Sequence, residues 1–186
     1  MAMTDARMTA ESYVDAVAGV REPTQLIDGV IVVNQPRYRH QRAVGLIYAR
    51  LLAWATSDEG SGIVSRPLDV VVDRYDVYAP DVLWVADEHR VDPDEPFEGL
   101  PDIAVEVRSP STWHHDLGIK KECYEQHGLP ELWLVDTAAS TVLVLRRSSP
   151  ASSRFDVRVE LAAGESVTSP QLPGFVLALD EVFAAG

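Results

Sequence analysis

The sequence lacks three features that define large classes of proteins: paired cysteines, long apolar runs and an excess of basic residues. Its single cysteine, Cys123, excludes an internal disulfide framework and favours a reducing compartment, so we expect a cytoplasmic protein. No apolar run approaches the roughly 20 residues that span a bilayer, and the acidic first residues do not resemble a signal peptide. We therefore expect no membrane association.

The formal net charge of −13 counts against a protein that coats nucleic acid, because such proteins normally carry a basic surface. It does not exclude an enzyme that meets phosphate through a divalent ion, since the ion supplies the largest local positive charge. Residues 34–56 depart from the general acidity and contain no acid. A phosphate-binding face is expected there first, and a solvated helix face is the alternative reading of its arginines, Arg37, Arg39, Arg42 and Arg50.

The 186 residues suit one domain, which we predict to extend over 1–186. Apolar spacing predicts helices over 9–18, 40–54 and 116–127. Strands are predicted for a hairpin over 26–33 and over 63–72 (broken near Pro67), 78–85, 102–108, 132–135, 141–145 and 155–161. A loop rich in acid and proline separates two of them over 87–101. This order predicts a mixed α/β (α+β) fold with a central β-sheet flanked by helices.

Two carboxylates stand out because of the apolar strands that carry them. Asp81 begins one strand, and Glu106 lies between Val105 and Val107 in another. A carboxylate partly removed from water needs a cation or a hydrogen-bond donor. Together with the backbone carbonyl of Val107, Asp81 and Glu106 would make an oxygen-rich site that suits Mg²⁺ or Mn²⁺.

A lysine on the following helix completes this set. Asp116, Lys120 and Tyr124 recur at every fourth residue and therefore line one helix face. If that face meets the sheet, Lys120 reaches a metal-bound phosphate, where its ammonium can position or activate water and stabilise the transition state.

Each residue also has a purely structural reading. Asp81 could be a turn or cap residue, and Glu106 could pair with Arg108, which shares its face of the strand. Asp116 and Lys120 could form an ordinary surface pair worth roughly 0.3–0.5 kcal/mol. The combination, rather than any single residue, favours a catalytic site.

Two other histidine positions bear on function. His40 follows a basic loop and opens a helix, where it could contact phosphate, cap the helix or pack. Cys123 and His127 are four residues apart on a predicted helix, but they lack a compact zinc-binding pattern, so we interpret Cys123 as a small buried apolar residue.

The chain resembles the Uma2 family, which is described as a family of restriction endonucleases and is a branch of the PD-(D/E)XK nuclease superfamily. The resemblance rests on the segments APDVLWV, PDIAVEVRSPST and DLGIKKECYEQHGLPELWLVD, with support from LIDGVIVV and the closing SPQLPGFVLALDEVF. The matching positions are Pro80, Asp81, Glu106, Val107, Ser109, Pro110, Ser111, Asp116, Lys120, Tyr124, Gly128, Glu131, Trp133 and Asp136. It implies a restriction-endonuclease-like core and a Mg²⁺-dependent endonuclease acting on DNA, with Asp81 and Glu106 holding the ion and the superfamily lysine moved to Lys120.

Two departures from the family pattern leave other functions open. Arg108 stands where members usually carry an apolar residue, and it could assist phosphate binding or neutralise Glu106. Gln25 stands where relatives tend to have a glutamate, to which the resemblance assigns a supporting role at the metal site. The alternatives are a catalytically inactive nuclease-fold protein that binds a partner, and a metal-dependent hydrolase of another phosphoester. A homodimer is expected only by analogy with the fold.

Overall fold

The computed structural model describes residues 7–89, 97 and 99–184, so most of the predicted acidic loop lies outside the described residues. The α-helices are α1 (Ala10–Val17), α2 (Tyr38–Ala55), α3 (Trp113–His115), α4 (Lys121–Gln126) and α5 (Leu179–Phe183). The strands are β1 (Thr24–Ile27), β2 (Val30–Val33), β3 (Ile63–Ser65), β4 (Val70–Val71), β5 (Val77–Tyr78), β6 (Val82–Val85), β7 (Ile103–Val107), β8 (Glu131–Asp136), β9 (Thr141–Arg146), β10 (Val157–Ala162), β11 (Ser166–Val167) and β12 (Leu177–Ala178).

A six-stranded mixed sheet forms the centre, in the order β10-β9-β8-β7-β6-β3. Strands β7 and β8 run parallel, and the other neighbouring pairs are antiparallel. A parallel pair needs a crossover connection, and here residues 108–130 supply it with α3 and α4. The predicted mixed α/β architecture with a central sheet flanked by helices is confirmed.

Strand β7 separates two apolar cores. Ile103, Val105 and Val107 pack into the core that also contains residues of α2 and α5. Ala104 packs on the opposite face with α4 residues such as Tyr124. The predicted alternation along this strand is therefore correct, and Glu106 lies on the same face as Ala104.

A second, four-stranded sheet has the order β2-β1-β5-β4. Its β1–β2 hairpin was predicted from the Asp-Gly pair, and Asp28 and Gly29 have φ of 49° and 74°, as a two-residue turn of this kind requires. The predicted single strand over 78–85 is wrong. Its first part pairs in the small sheet and its second part in the large one, because Pro80 has no N–H to continue a ladder. Asp81 lies where the chain crosses between the sheets.

The predicted helix over 116–127 is also interrupted. Gly118 has non-helical angles (φ −109°, ψ −108°) inside a wide π-type turn, Asp116–Lys120, that precedes α4. The helix ends as predicted before Gly128, which has φ +92°. Among the described residues, no helix has the length and apolar character needed to cross a bilayer.

Two glycines with positive φ allow a matched test of packing beside β6. Alanine at either position adopts a backbone conformation that costs about 1–2 kcal/mol. A Cβ at Gly128 meets open space, whereas one at Gly62 overlaps the Val85 carbonyl oxygen and the Trp84 indole. Measured by urea unfolding, Gly128→Ala should lower the free energy of unfolding by about 1–2 kcal/mol, and Gly62→Ala should lower it by about 3 kcal/mol or more. Equal losses would contradict the close approach at Gly62.

Candidate active site

Asp81 contacts the central strand directly. One carboxylate oxygen, Oδ2, accepts a hydrogen bond from the Val107 N–H at 2.8 Å. The other, Oδ1, lies 3.2 Å from Nε2 of His40. The Asp81 carboxylate therefore lies beside the residue that follows Glu106; that the two acids share one metal site stays a prediction.

His40 links the two sides of this contact. Its Nδ1 lies 3.1 Å from the Val107 carbonyl oxygen, and its side chain is nearly buried. A neutral imidazole has only one donor, so the protonated ring is the form that satisfies both acceptor oxygens. Burial lowers the pKa of His40, but the hydrogen bond and charge of Asp81 outweigh burial, and the net shift is upward. The histidine packs inside the site rather than capping α2; a phosphate contact stays a prediction.

Glu106 and Lys120 form a buried contact between a carboxyl group and an ammonium group. Lys120 Nζ lies 2.7 Å from Glu106 Oε1 and 2.9 Å from Asp116 Oδ1, with 1% of the lysine exposed. The Tyr124 hydroxyl donates to Glu106 Oε1 at 3.0 Å. The predicted face of Asp116, Lys120 and Tyr124 therefore meets the sheet at Glu106, and the surface-pair reading of Asp116 and Lys120 is wrong because both are buried.

Burial has the largest effect on the electrostatics of Glu106. Burial raises the pKa of the Glu106 carboxyl to about 8; Lys120 opposes this shift, and the charges of Asp116 and Asp81 add to it. The pKa of Lys120 is raised, since the two carboxylates outweigh the opposing effect of burial. The lysine is therefore an ammonium at neutral pH. Tyr78 adds a ring face 5.4 Å from its Nζ.

The donor set fits a hard divalent cation. Asp81, Glu106 and the Val107 carbonyl offer oxygen atoms, the ligands that Mg²⁺ and Mn²⁺ prefer. Each oxygen has more than one lone pair, so the hydrogen bonds from His40 and Tyr124 leave acceptor capacity. The carboxylates that raise the pKa of Glu106 would be neutralised by such an ion.

Arg108 points to a different partner from the one considered in the sequence. Its Nη1 donates to both carboxylate oxygens of Asp136, at 3.0 and 2.8 Å. The pKa of Asp136 is lowered, because backbone N–H groups and Arg108 outweigh burial. Neutralisation of Glu106 by Arg108 is therefore wrong, since the guanidinium is engaged with Asp136 and Glu106 with Lys120.

Gln25 lies beside the site without joining the ion cluster. Its Oε1 accepts a hydrogen bond from the Ala79 N–H at 3.2 Å, two residues before Asp81. A cavity of about 70 Å³ is lined by Gln25, Asn34, His40 and Asp81 among others. Within the described residues, the buried Asn34 Oδ1 has no hydrogen-bond partner. Gln25 thus supports the chain where it crosses between the sheets.

A basic groove opens next to the acidic cluster. A cavity of about 260 Å³ is lined by Arg37, Arg39, His40 and Arg108 together with Pro110 and Thr137. Arg39 donates to the Thr137 carbonyl oxygen at 3.3 Å. Two of the four arginines predicted to face phosphate, Arg37 and Arg39, thus line a cavity with His40, the partner of Asp81. The prediction does not hold for Arg42, which donates to the Val182 carbonyl oxygen, or for Arg50, which pairs with Glu181.

Sequence reasoning missed three participants. Tyr78 packs edge-to-face against Tyr124 with the ring centroids 5.2 Å apart, and Asn34 lines the cavity beside Asp81. Asp136 belongs to the family pattern, but nothing in that pattern indicates its contact with Arg108. The sequence could have indicated Tyr78, because it lies three residues before Asp81 in a strand-like segment. Nothing in the sequence indicates a role for Asn34, which lies in a loop.

Comparisons with known proteins identify a family and a shared fold. The Uma2 family model, described as "Putative restriction endonuclease", matches residues 12–180. A crystal structure from Anabaena variabilis ATCC 29413, of "a putative nuclease belonging to DUF820", has a TM-score of 0.76 and 15% identity. The match covers 95% of this chain and 98% of that one, so the two share a fold. No curated protein is significantly similar in sequence.

The raised pKa of Glu106 gives a test of the cluster in the absence of metal. Between the ordinary value of 4.5 and about 8, the folded chain holds a proton on Glu106 that the unfolded chain has lost. The free energy of unfolding therefore falls as pH rises through this window. The Glu106→Gln side chain does not titrate. Over this pH window, the free energy of unfolding of the wild type should therefore fall by on the order of a few kcal/mol more than that of the variant.

Urea unfolding with a chelator present, from about pH 5 to about pH 8, measures this difference. His40 titrates in both proteins and cancels from the comparison. Parallel stability profiles for wild type and Glu106→Gln would contradict the assigned shift.

Proposed function

Because the chain belongs to the Uma2 family of restriction-endonuclease-like proteins, we propose that it is a Mg²⁺- or Mn²⁺-dependent endonuclease that hydrolyses DNA phosphodiester bonds. One observation carries the proposal. Asp81, Glu106 and Lys120 come from three separate segments, and all three converge on the end of β7. Hydrophobic packing alone gives no reason to bury these charges together, since each costs free energy to remove from water.

Asp81, Glu106 and the Val107 carbonyl would hold the divalent ion. When bound, the ion would polarise the scissile phosphate and make a water molecule more acidic. Asp81 is fixed for this role by the Val107 N–H, at 2.8 Å. The Tyr124 hydroxyl holds Glu106 from the helix side, at 3.0 Å.

In the absence of a bound ion, Lys120 supplies a positive charge and cannot act as a general base. Its raised pKa keeps the ammonium protonated, so it cannot take a proton from the attacking water. It can donate hydrogen bonds to a phosphoryl oxygen and stabilise the negative charge that develops there. Asp116 positions the lysine from one turn earlier, at 2.9 Å.

The basic groove gives DNA a route to this acidic protein. Arg37 and Arg39 line the groove beside His40 and can contact backbone phosphates on either side of the scissile bond. With a net charge of −13, the rest of the surface repels DNA, so local arginines must supply the attraction. A homodimer would bring two such grooves to one duplex and stays a prediction.

Cleavage of plasmid DNA with Mg²⁺ or Mn²⁺ tests the proposed roles. Asp81→Asn, Glu106→Gln and Lys120→Met should each lower kcat by about 10²-fold or more, because each removes a ligand or a charge from the reacting centre. Lys121→Met is the matched control, since its lysine is the next residue along the chain and is not part of the ion cluster. It should cleave like the wild type.

The outcomes separate the alternatives. Equal cleavage by the wild type and the three site variants removes the assignment of catalytic residues. A folded wild type that binds neither ion and cleaves nothing supports the inactive binding protein, for which Gln25 is the motive. Hydrolysis of RNA or nucleotides but not of DNA supports the alternative that the protein is a metal-dependent hydrolase of another phosphoester.

The groove makes a separate prediction about binding. Arg37→Ala and Arg39→Ala should weaken binding of catalytically inactive Glu106→Gln protein to DNA of any sequence, and should each reduce the slope of log affinity against log salt by about 1. Arg158→Ala, at an exposed position on β10, is the control. Fluorescence anisotropy at several salt concentrations measures both quantities. Unchanged slopes in the two groove variants would place DNA elsewhere.

A further inference from the structure

Three metal-ligand side chains meet at the far end of α4, apart from the acidic cluster. Cys123 and His127 lie one turn apart at the end of this helix, and Asp73 comes from the turn between β4 and β5. One ligand atom from each lies within 4.8 Å of the others. We propose that Asp73, Cys123 and His127 bind a zinc-like divalent ion that fastens the small sheet to the helix following Lys120.

The side chains are already oriented for this role. Asp73 Oδ1 accepts the Tyr75 N–H at 2.7 Å, and its Oδ2 lies 3.7 Å from His127 Nε2. His127 Nδ1 lies 2.9 Å from the Cys123 carbonyl oxygen. A histidine that donates one ring N–H to a carbonyl presents the other nitrogen to a metal, which is the usual arrangement for zinc ligands.

The spacing needs only a small closure. Zinc bonds of about 2.0–2.3 Å in tetrahedral geometry put neighbouring ligand atoms roughly 3.3–3.8 Å apart. The 3.7 Å contact between Asp73 Oδ2 and His127 Nε2 falls in this range, and the Cys123 Sγ lies within 4.8 Å of the other two ligand atoms. Closing the widest separation, at most 4.8 Å, requires a shift of about 1 Å.

Negative charge around the thiol and access from solvent also favour a cation. The Cys123 side chain is buried, while the side chains of Asp73 and His127 are 35% and 36% exposed and leave a path from solvent. Burial raises the pKa of the Cys123 thiol to about 11, so a bound ion has to displace its proton; the charges of Asp76 and Asp73 raise the pKa further, but they also attract a cation. On binding, the thiol proton leaves to solvent, and the thiolate and the Asp73 carboxylate balance the two positive charges of the ion.

The mixture of sulfur, nitrogen and oxygen ligands selects the class of metal. Mg²⁺ avoids thiolate, whereas Zn²⁺ and Co²⁺ accept all three ligand types. Three protein ligands leave a fourth position for water. Because the ligands join a turn of the small sheet to α4, the expected effect is stabilisation of the folded chain.

Titration of the full chain with Co²⁺ tests the site, because a cobalt–thiolate bond gives a charge-transfer absorption in the near ultraviolet. The wild type should show this absorption and lose it when Zn²⁺ is added. Cys123→Ser should lack it. Asp73→Asn and His127→Gln should bind Co²⁺ at least about tenfold more weakly, since loss of even an outer-shell partner costs that much.

Two controls keep this test independent of the proposed nuclease. His114→Gln changes an exposed histidine outside the cluster, and Glu106→Gln removes a ligand of the acidic site. Both should keep the absorption and the affinity of the wild type. Wild-type protein without the absorption would overturn the proposal, and so would Asp73→Asn and His127→Gln proteins that bind as the wild type does. Because Asp73 and His127 are partly exposed, these two variants decide the matter even if Cys123→Ser fails to fold.

Discussion

The buried contact between Lys120 and two carboxylates is the constraint on which the rest of the structure depends. Removing an ammonium and two carboxylates from water is expensive, and their mutual attraction repays the cost only with close geometry. The contacts of 2.7 and 2.9 Å to Glu106 and Asp116 supply that geometry. The crossover helix must therefore sit over β7 in one register, because any slide along the strand would leave a buried charge alone.

That register requires irregular backbone at two places. A regular helix across Gly118 would not form the wide turn that presents Lys120, and Gly118 adopts angles that interrupt it. On the opposite side, a continuous strand through Pro80 would keep Asp81 in one sheet. The break there brings the Asp81 carboxylate onto the Val107 N–H. Both departures from regular structure lie within the residues that carry the charges, where local strain is most often tolerated for function.

The sequence predicted the members of the cluster better than their connections. The alternation of side chains along β7 identified Glu106, and the i, i+4 spacing on the helix identified Lys120. Both periodicities are local properties of the chain. Arg108 was paired with the wrong acid, since the parallel register that brings Asp136 beside it depends on a contact 28 residues away. Asp73 could not be linked to Cys123 for the same reason. Long-range pairing, rather than residue type, was the missing information.

The family pattern contains residues of the proposed site and residues that stabilise the fold, and the structure distinguishes the two groups. Glu131 is fully buried, yet its carboxylate accepts the Trp133 indole N–H at 2.6 Å and the Ser169 hydroxyl at 2.7 Å. It therefore ties the closing segment to β8, at the strand end opposite Asp136. The positions around Glu106 could lose activity while those around Glu131 kept the fold. A match to the whole pattern thus establishes the fold, whereas the proposed catalysis depends on the charged cluster at the end of β7.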